Sequence, residues 1–357
     1  MLASKDLMSS SMPGFVGWMG IVALAFGFLA CGRTLSDPKE AAATRGSLAT
    51  KALAGEPTFT TIDFPSARMT SPLDVNTAGD IVGEYMDAAG KSHGFLLSEG
   101  DFTSIDFPGA VLTGAFGINP NADIVGRYQT SNGHFHGFLL SGGTFTSIDV
   151  GDTLTRAHGI NARGDIVGRY DDPDGTSHGF LLSEGDLISF DFPGAVDTAP
   201  WGINPAGDIT GRYSSADGKS HGFLLREGDF TTIDVPGAVE TAPSGGVNGS
   251  ATVRINPRGD IVGTYCAAEP CSVTQLHGFL LSKGKSKDEG NKDKSTDDGK
   301  FTSFDFPGAI GTLGTGINPR GDIVGIYFDK NGRRHGFLLR SGELNEDADD
   351  DGPRDER

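Results

Sequence analysis

Two kinds of short apolar run, D-I-V and F-L-L, alternate along the chain from about residue 59 to residue 339, each bounded by polar turns rich in Gly, Asp and Asn. Runs this short, bounded this way, predict strands rather than helices. Neither run alternates between apolar and polar, which is how a strand buried on both faces reads. H-G-F-L-L begins at His93, His136, His178, His221, His277 and His335, at intervals of 43, 42, 43, 56 and 58 residues. A period in this range signals a repeat architecture.

Each copy resolves into four predicted strands. The first ends in G-I-N, as at Gly159-Ile160-Asn161, with Asp74 and Arg254 in the glycine position of two copies. A turn such as N-P-R-G-D follows, in which proline presets φ and glycine takes the left-handed position. The second strand is D-I-V-G-x-Y and the third H-G-F-L-L, joined by a D-x-x-G hairpin; the fourth is F-T-S-I-D-F, ended by P-G-A.

Small four-stranded antiparallel sheets buried on both faces predict an all-β chain folded as a β-propeller. The alternative is an open stacked solenoid, which needs polar capping repeats, and none is visible. The phase of the repeat predicts closure. The array opens at Phe59 with a lone fourth strand and ends after Leu339 without one. Six blades therefore form if Phe59–Phe64 supplies the outer strand of the last: a ring latched by one N-terminal and three C-terminal strands, with no open edge.

The organisation follows. Residues 58–343 form the ring, with insertions at 244–253, 266–276 and 283–300; residues 32–57 read as a flexible tether and 344–357 as a disordered acidic tail. Residues 1–31 hold an uncharged apolar stretch, Gly14–Ala30, that reads as a signal-peptide core. It is also just long enough to span a membrane uncleaved. Cys31 follows Phe28-Leu29-Ala30, a sequence that resembles the lipobox of bacterial lipoproteins and makes Cys31 a candidate for lipidation. Secretion after cleavage, a lipid anchor and an uncleaved helix stay open. All three place the protein outside the cytoplasm, extracellular or in the cell envelope, touching the membrane only through this segment.

Cys266 and Cys271 lie in a lengthened hairpin, and an oxidising compartment favours a loop-closing disulfide between them over half of a metal site with His277. The formal charge of −18 opposes nucleic acid, whose phosphates would repel it. Residues 343–357 contribute to that charge with eight acids against two arginines.

The repeated G-I-N-x-x-G-D-I-V-G, followed by H-G-F and F-x-x-I-D, resembles the extracellular repeats of the bacterial HAF family, named for a His-Ala-Phe core that is His-Gly-Phe here. The resemblance runs over residues 58–343. It implies an exported repeat propeller and carries no catalytic residue.

The six histidines of H-G-F open third strands on different blades, so they cannot converge; a part in holding the blade together is expected. The same holds for the repeated aspartates and tyrosines. Asp171–Gly175 has the look of a calcium loop, but other copies place Ala88, Ser131 or Ser215 there, which favours a plain turn. Arg-Gly-Asp at Arg163, Arg258 and Arg320 follows from the repeat itself.

A site is better sought where the copies differ. Just before I-N or V-N they read Leu73-Asp74, Phe116-Gly117, His158-Gly159, Trp201-Gly202, Val253-Arg254 and Thr315-Gly316. First strands line a propeller's axis, so these side chains are expected around one mouth of the channel, joined by Arg68, Arg156, Asp197 and Glu240. The candidate ligand-binding set is Arg68, Asp74, Phe116, Arg156, His158, Trp201 and Arg254. Aromatic and charged groups together suit a small polar ligand or a glycan, and the expected partner is a protein, a peptide or a glycan. The expectation is a non-catalytic binding module with no cofactor and no metal. The alternative is a propeller lyase or hydrolase with His158 as base and Asp74 or Glu240 as its carboxylate partner.

Overall fold

A computed structural model describes residues 58–243, 252–283 and 299–340. The candidate leader, Cys31, the tether, the acidic tail and most of the insertions at 244–253 and 283–300 lie outside the described residues. Among the described residues no helix is long and apolar enough to cross a membrane.

The described chain is all-β and forms six antiparallel sheets, the blades of a β-propeller. Blades 1 to 4 each take four consecutive strands, from Met69–Val75 through Asp101–Ile105 in blade 1 to Asp197–Ile203 through Asp229–Ile233 in blade 4. Blade 5 splits its innermost strand into Glu240–Thr241 and Val253–Ile255, on either side of the insertion. Blade 6 has Gly311–Ile317, Ile323–Phe328 and Arg334–Arg340, and Thr58–Ile62 pairs antiparallel with the last of these from Thr58↔Arg340 to Ile62↔Gly336. The outer strand of the last blade is thus the first strand of the ring.

The packing explains why so much of the repeat is invariant. The valine of D-I-V inserts into the next blade: Val82 packs with Ile105, Ala115 and Phe138, and Val324 of blade 6 packs with Ile62, Tyr85 and Phe95 of blade 1 and its latch. The phenylalanine of H-G-F is fully buried in all six copies, each worth about 2–3 kcal/mol of apolar burial. The glycine of D-I-V-G makes room for it: a Cβ on Gly83 would lie 2.2 Å from the Ser71 carbonyl oxygen and 2.6 Å from the Phe95 ring.

The polar residues of the repeat act as staples. The histidine of H-G-F places Nδ1 against the aspartate that ends the outer strand, as in His93–Asp106 at 2.7 Å and His335–Asp63 at 2.8 Å. It stacks on the tyrosine of the second strand, whose hydroxyl bonds Ser104 in blade 1 and Thr61 in blade 6. The asparagine of G-I-N donates from Nδ2 to the aspartate four residues on, and in four copies also to the matching asparagine carbonyl of the next blade, as from Asn161 to Asn204 at 3.2 Å.

The ring closes through contacts between blades 6 and 1. Thr315 Oγ1 donates to the Pro72 carbonyl at 2.8 Å, Arg320 Nη1 to that of Thr77 at 2.7 Å and Arg333 Nη2 to that of Ala67 at 3.0 Å. In blade 5 the lengthened hairpin joins Cys266 to Cys271, with Cα atoms 5.8 Å apart.

Candidate functional site

In five blades the innermost strand carries one extra residue opposite the second strand, at the break in register between Pro72 and Asp74, Ala115 and Gly117, Ala157 and Gly159, Pro200 and Gly202, and Gly314 and Gly316. The extra residues are Leu73, Phe116, His158, Trp201 and Thr315, so the position at which the copies differ is a β-bulge. A bulge re-aims its side chain and frees it from the ladder. Leu73, Phe116, His158 and Trp201 accordingly line one mouth of the channel.

The residue after the bulge faces the axis. It is glycine in four blades because neighbouring backbones crowd it; a Cβ on Gly117 would stand 2.8 Å from the His158 carbonyl oxygen. Blades 1 and 5 carry Asp74 and Arg254 instead, and these two cross the axis to each other, Nη1 to Oδ2 at 3.2 Å. Arg254 Nη2 also donates to the carbonyls of Phe116 and His158, in blades 2 and 3, while Asp74 accepts the Ile118 and Val75 amides. Burial dominates both partners: it raises the Asp74 carboxyl above its ordinary value despite Arg254, and lowers the Arg254 guanidinium. The pair spans the axis and lines the chamber on one side of it.

The expectation that Asp74 and Arg254 rim the same mouth as Trp201 is therefore corrected. One residue beyond the bulge, their side chains turn to the axis and line the opposite mouth, with Ile118, Ile160, Ile203 and the turn prolines. Arg68 joins neither chamber; it is exposed, and its guanidinium lies beside the turn at Gly90. Asp197 is engaged at the rim, accepting the Ser177 amide at 3.0 Å. Glu240 is half-buried, and burial raises its carboxyl above the ordinary value.

The first mouth opens into a chamber of about 550 Å³, counting the solvent in its opening. Around it stand Arg127, Arg156, Arg169, Arg212 and Arg334 with a single acid, Glu84. Arg156 donates from Nη1 to Asp171, which Arg169 also approaches at 3.7 Å; Arg127 lies 3.6 Å from Glu84. The Phe135 ring stacks under Arg127 and Arg156, 5.1 and 4.9 Å from the guanidinium carbons. Asp171 belongs to this network, while the Asp172–Gly175 segment closes an ordinary turn, Gly175 N to Asp172 O at 2.9 Å. Burial, reinforced by Arg156, brings Arg169 down to about 10, so it stays protonated at neutral pH. Burial likewise lowers Arg127, Arg212 and Arg334.

Of these arginines, sequence reasoning singles out Arg156 alone. Arg127, Arg169 and Arg212 occupy the x of D-I-V-G-x-Y, which reads Glu84, Arg127, Arg169, Arg212, Thr264 and Ile326 around the ring, and Arg334 precedes the histidine of its copy. Their signal is the same disagreement between copies that marks the bulge, but on second and third strands.

His158 is almost fully buried and stacks on Trp201 with ring centroids 3.9 Å apart. Its Nδ1 lies 2.7 Å from the Pro200 carbonyl oxygen. A carbonyl can only accept, so Nδ1 carries a proton; burial first, then Arg169, holds His158 well below the ordinary histidine value, which keeps the ring neutral at neutral pH. Its partner is therefore backbone, and neither Asp74 nor Glu240 supplies the carboxylate that the catalytic alternative requires. Among the described residues no three His, Cys, Asp or Glu side chains are grouped to hold a metal ion.

No protein-family model matches the chain, and no curated protein matches it. Solved structures with similar backbones include a mutant of the Aleuria aurantia lectin in complex with α-methyl-L-fucoside, at TM-score 0.47, 10% identity and coverage of 80% of this chain and 95% of that one. The Trypanosoma rangeli sialidase gives TM-score 0.45 and 9% identity over 81% and 60% of the two chains. TolB from Acinetobacter baumannii gives 0.46 and 11% over 73% and 65%. Likenesses at this level carry no argument about what this chain binds; the architecture is read from its own strand pairing.

Proposed function

We propose that this protein is a non-catalytic binding propeller whose site is the chamber beneath Trp201, His158 and Phe116, and that it is an exported member of the HAF-type repeat proteins. One observation carries the reading. Residues identical from copy to copy are consumed in holding blades together, whereas the chamber is built from positions at which the copies differ. A concave pocket with an aromatic wall and convergent polar groups is what a small polar ligand requires. The neutral His158, committed to the Pro200 carbonyl, favours binding over the hydrolase or lyase alternative. A glycan, a peptide end or a small metabolite fits; nucleic acid does not suit a chain of charge −18.

Trp201 reports on the site. The sequence holds two tryptophans, Trp18 and Trp201, so Trp18→Phe in the full chain leaves the chamber as the only source of indole emission. Screening neutral and charged saccharides and short peptides, the proposal expects at least one saturable change in that emission. A ligand that binds by calorimetry while Trp201 stays silent contradicts it.

A further inference from the structure

The arginine chamber contains more hydrogen-bond donors than the protein satisfies. The Nε–H groups of Arg127, Arg156 and Arg169 and the indole N–H of Trp201 are all buried without a hydrogen-bond acceptor. Arg156 and Trp201 are 9% and 7% exposed, so water does not substitute freely for that acceptor. A buried donor left unsatisfied is costly, and a buried charge more so, unless something pairs with it. Native structures seldom leave several such donors together, and a group of them is explained by a missing partner.

The charges agree with the donors. Five guanidiniums surround the chamber with Glu84 alone among them. Asp171, behind the wall, takes the Nη1 donor of Arg156, and the Nη1 of Arg169 goes to Ser177. What these contacts leave on Arg156 is the Nε edge, and an arginine edge matches the two oxygens of an oxyanion; the Nε of Arg169 instead faces Asp171 Oδ1 at 3.7 Å, so Arg169 contributes its charge rather than an open edge. The cation–π contacts of Arg127 and Arg156 with Phe135 fix the planes of both guanidiniums, so the donors are pre-positioned.

We infer that the ligand of this chamber carries an oxyanion, a carboxylate, phosphate or sulfate group, held by the Nε–H groups of Arg127 and Arg156 with the Trp201 indole N–H as a further donor and the charge of Arg169 beside them. The inference deepens the binding role proposed above and rests on it. The remainder of the ligand lies against the Trp201 and Phe116 rings, which suits the flat face of a sugar or a short aliphatic body.

The test compares glucuronate with glucose, a pair that differs by the carboxylate, on the full-length Trp18→Phe protein at constant ionic strength, by Trp201 emission and calorimetry. Inorganic phosphate and sulfate are separate arms that tell a tetrahedral oxyanion from a carboxylate. At least one of the three anions is expected to bind ten-fold or more tightly than glucose, with affinity falling as sodium chloride rises. Arg156→Gln and Arg127→Gln are each expected to weaken it ten-fold or more, and Arg156→Lys, which keeps the charge and loses the edge, to fall between. Thermal unfolding of each variant separates lost binding from lost folding, and two sites guard against one variant failing to fold.

If glucose moves Trp201 as well as any anion does, the chamber is a ligand site but the oxyanion inference is overturned. If no anion binds more tightly than glucose, the inference is likewise overturned. If an anion binds while Trp201 and both glutamine variants are indifferent to it, the inference and the chamber reading fall together.

Discussion

Arg254 of the fifth blade and Asp74 of the first meet across the axis of the ring at 3.2 Å, where four other blades have glycine. Removing one partner strands a buried charge, which costs about 3–5 kcal/mol. Asp74→Asn and Arg254→Met are each expected to lower stability by about that amount in urea unfolding. Because burial outweighs attraction for both groups, the double variant Asp74→Asn/Arg254→Met should be more stable than the sum of the singles predicts.

The latch gives the second prediction. Phe59 packs edge-on against Phe306 and Phe337, 5.3 and 5.5 Å between centroids. Phe59→Ala is expected to cost about 3 kcal/mol and to accelerate amide hydrogen exchange across residues 336–340, the strand that Thr58–Ile62 covers. Phe145→Ala, in blade 2, where the outer strand Thr144–Ile148 follows a short hairpin and packs away from the latch, should leave exchange across residues 336–340 unchanged.

The glycine of the second strand is a packing requirement. Gly83→Ala would press a methyl group into the Ser71 carbonyl and the Phe95 ring, and is expected to cost about 3 kcal/mol by overpacking. Gly100, with open space around it and φ of 94°, tests a different cost: alanine there meets only the left-handed backbone penalty, about 1 kcal/mol. Thermal unfolding of the two variants should rank them in that order.

The histidine staples make stability depend on pH. Hydrogen bonds to Asp191 and Asp305 raise His178 and His277 above the ordinary histidine value. Their contribution is fully present below the unfolded value of about 6.5 and is lost as pH rises through the folded ones. His158 runs the other way: with its value depressed, stability is lost as pH falls below about 6.5, because only the unfolded chain takes up the proton. Proton NMR should show His178 and His277 titrating above free histidine and His158 silent. Asp191→Asn should bring His178 back down.

The ring was legible in the sequence because its two determinants are local and repeated. H-G-F-L-L marks each third strand, and a lone F-T-T-I-D-F before the first copy can pair only with a blade that lacks it. The bulge residues were legible as the place where copies disagree. The axial crossing of Asp74 and Arg254 was not, since a bulge interrupts the regular alternation of side chains along a strand and sequence spacing alone does not show the bulge. The arginines were harder still. Val82 and Glu84 share a face of one strand, but only the assembled ring shows that at the height of Glu84, Arg127 and Arg169 the gap between blades opens into the chamber. Arg68, adjacent in sequence to an inner strand, lies outside because the chain is still on the rim there.

The claim that the arginine-lined chamber is an oxyanion site is tested most directly by a crystal structure of the protein soaked in selenate, located by anomalous scattering. The account predicts a selenate in the chamber, its oxygens within hydrogen-bond distance of the Nε atoms of Arg127 and Arg156. An ordered chamber holding only water, with selenate bound elsewhere on the same molecule, would contradict it.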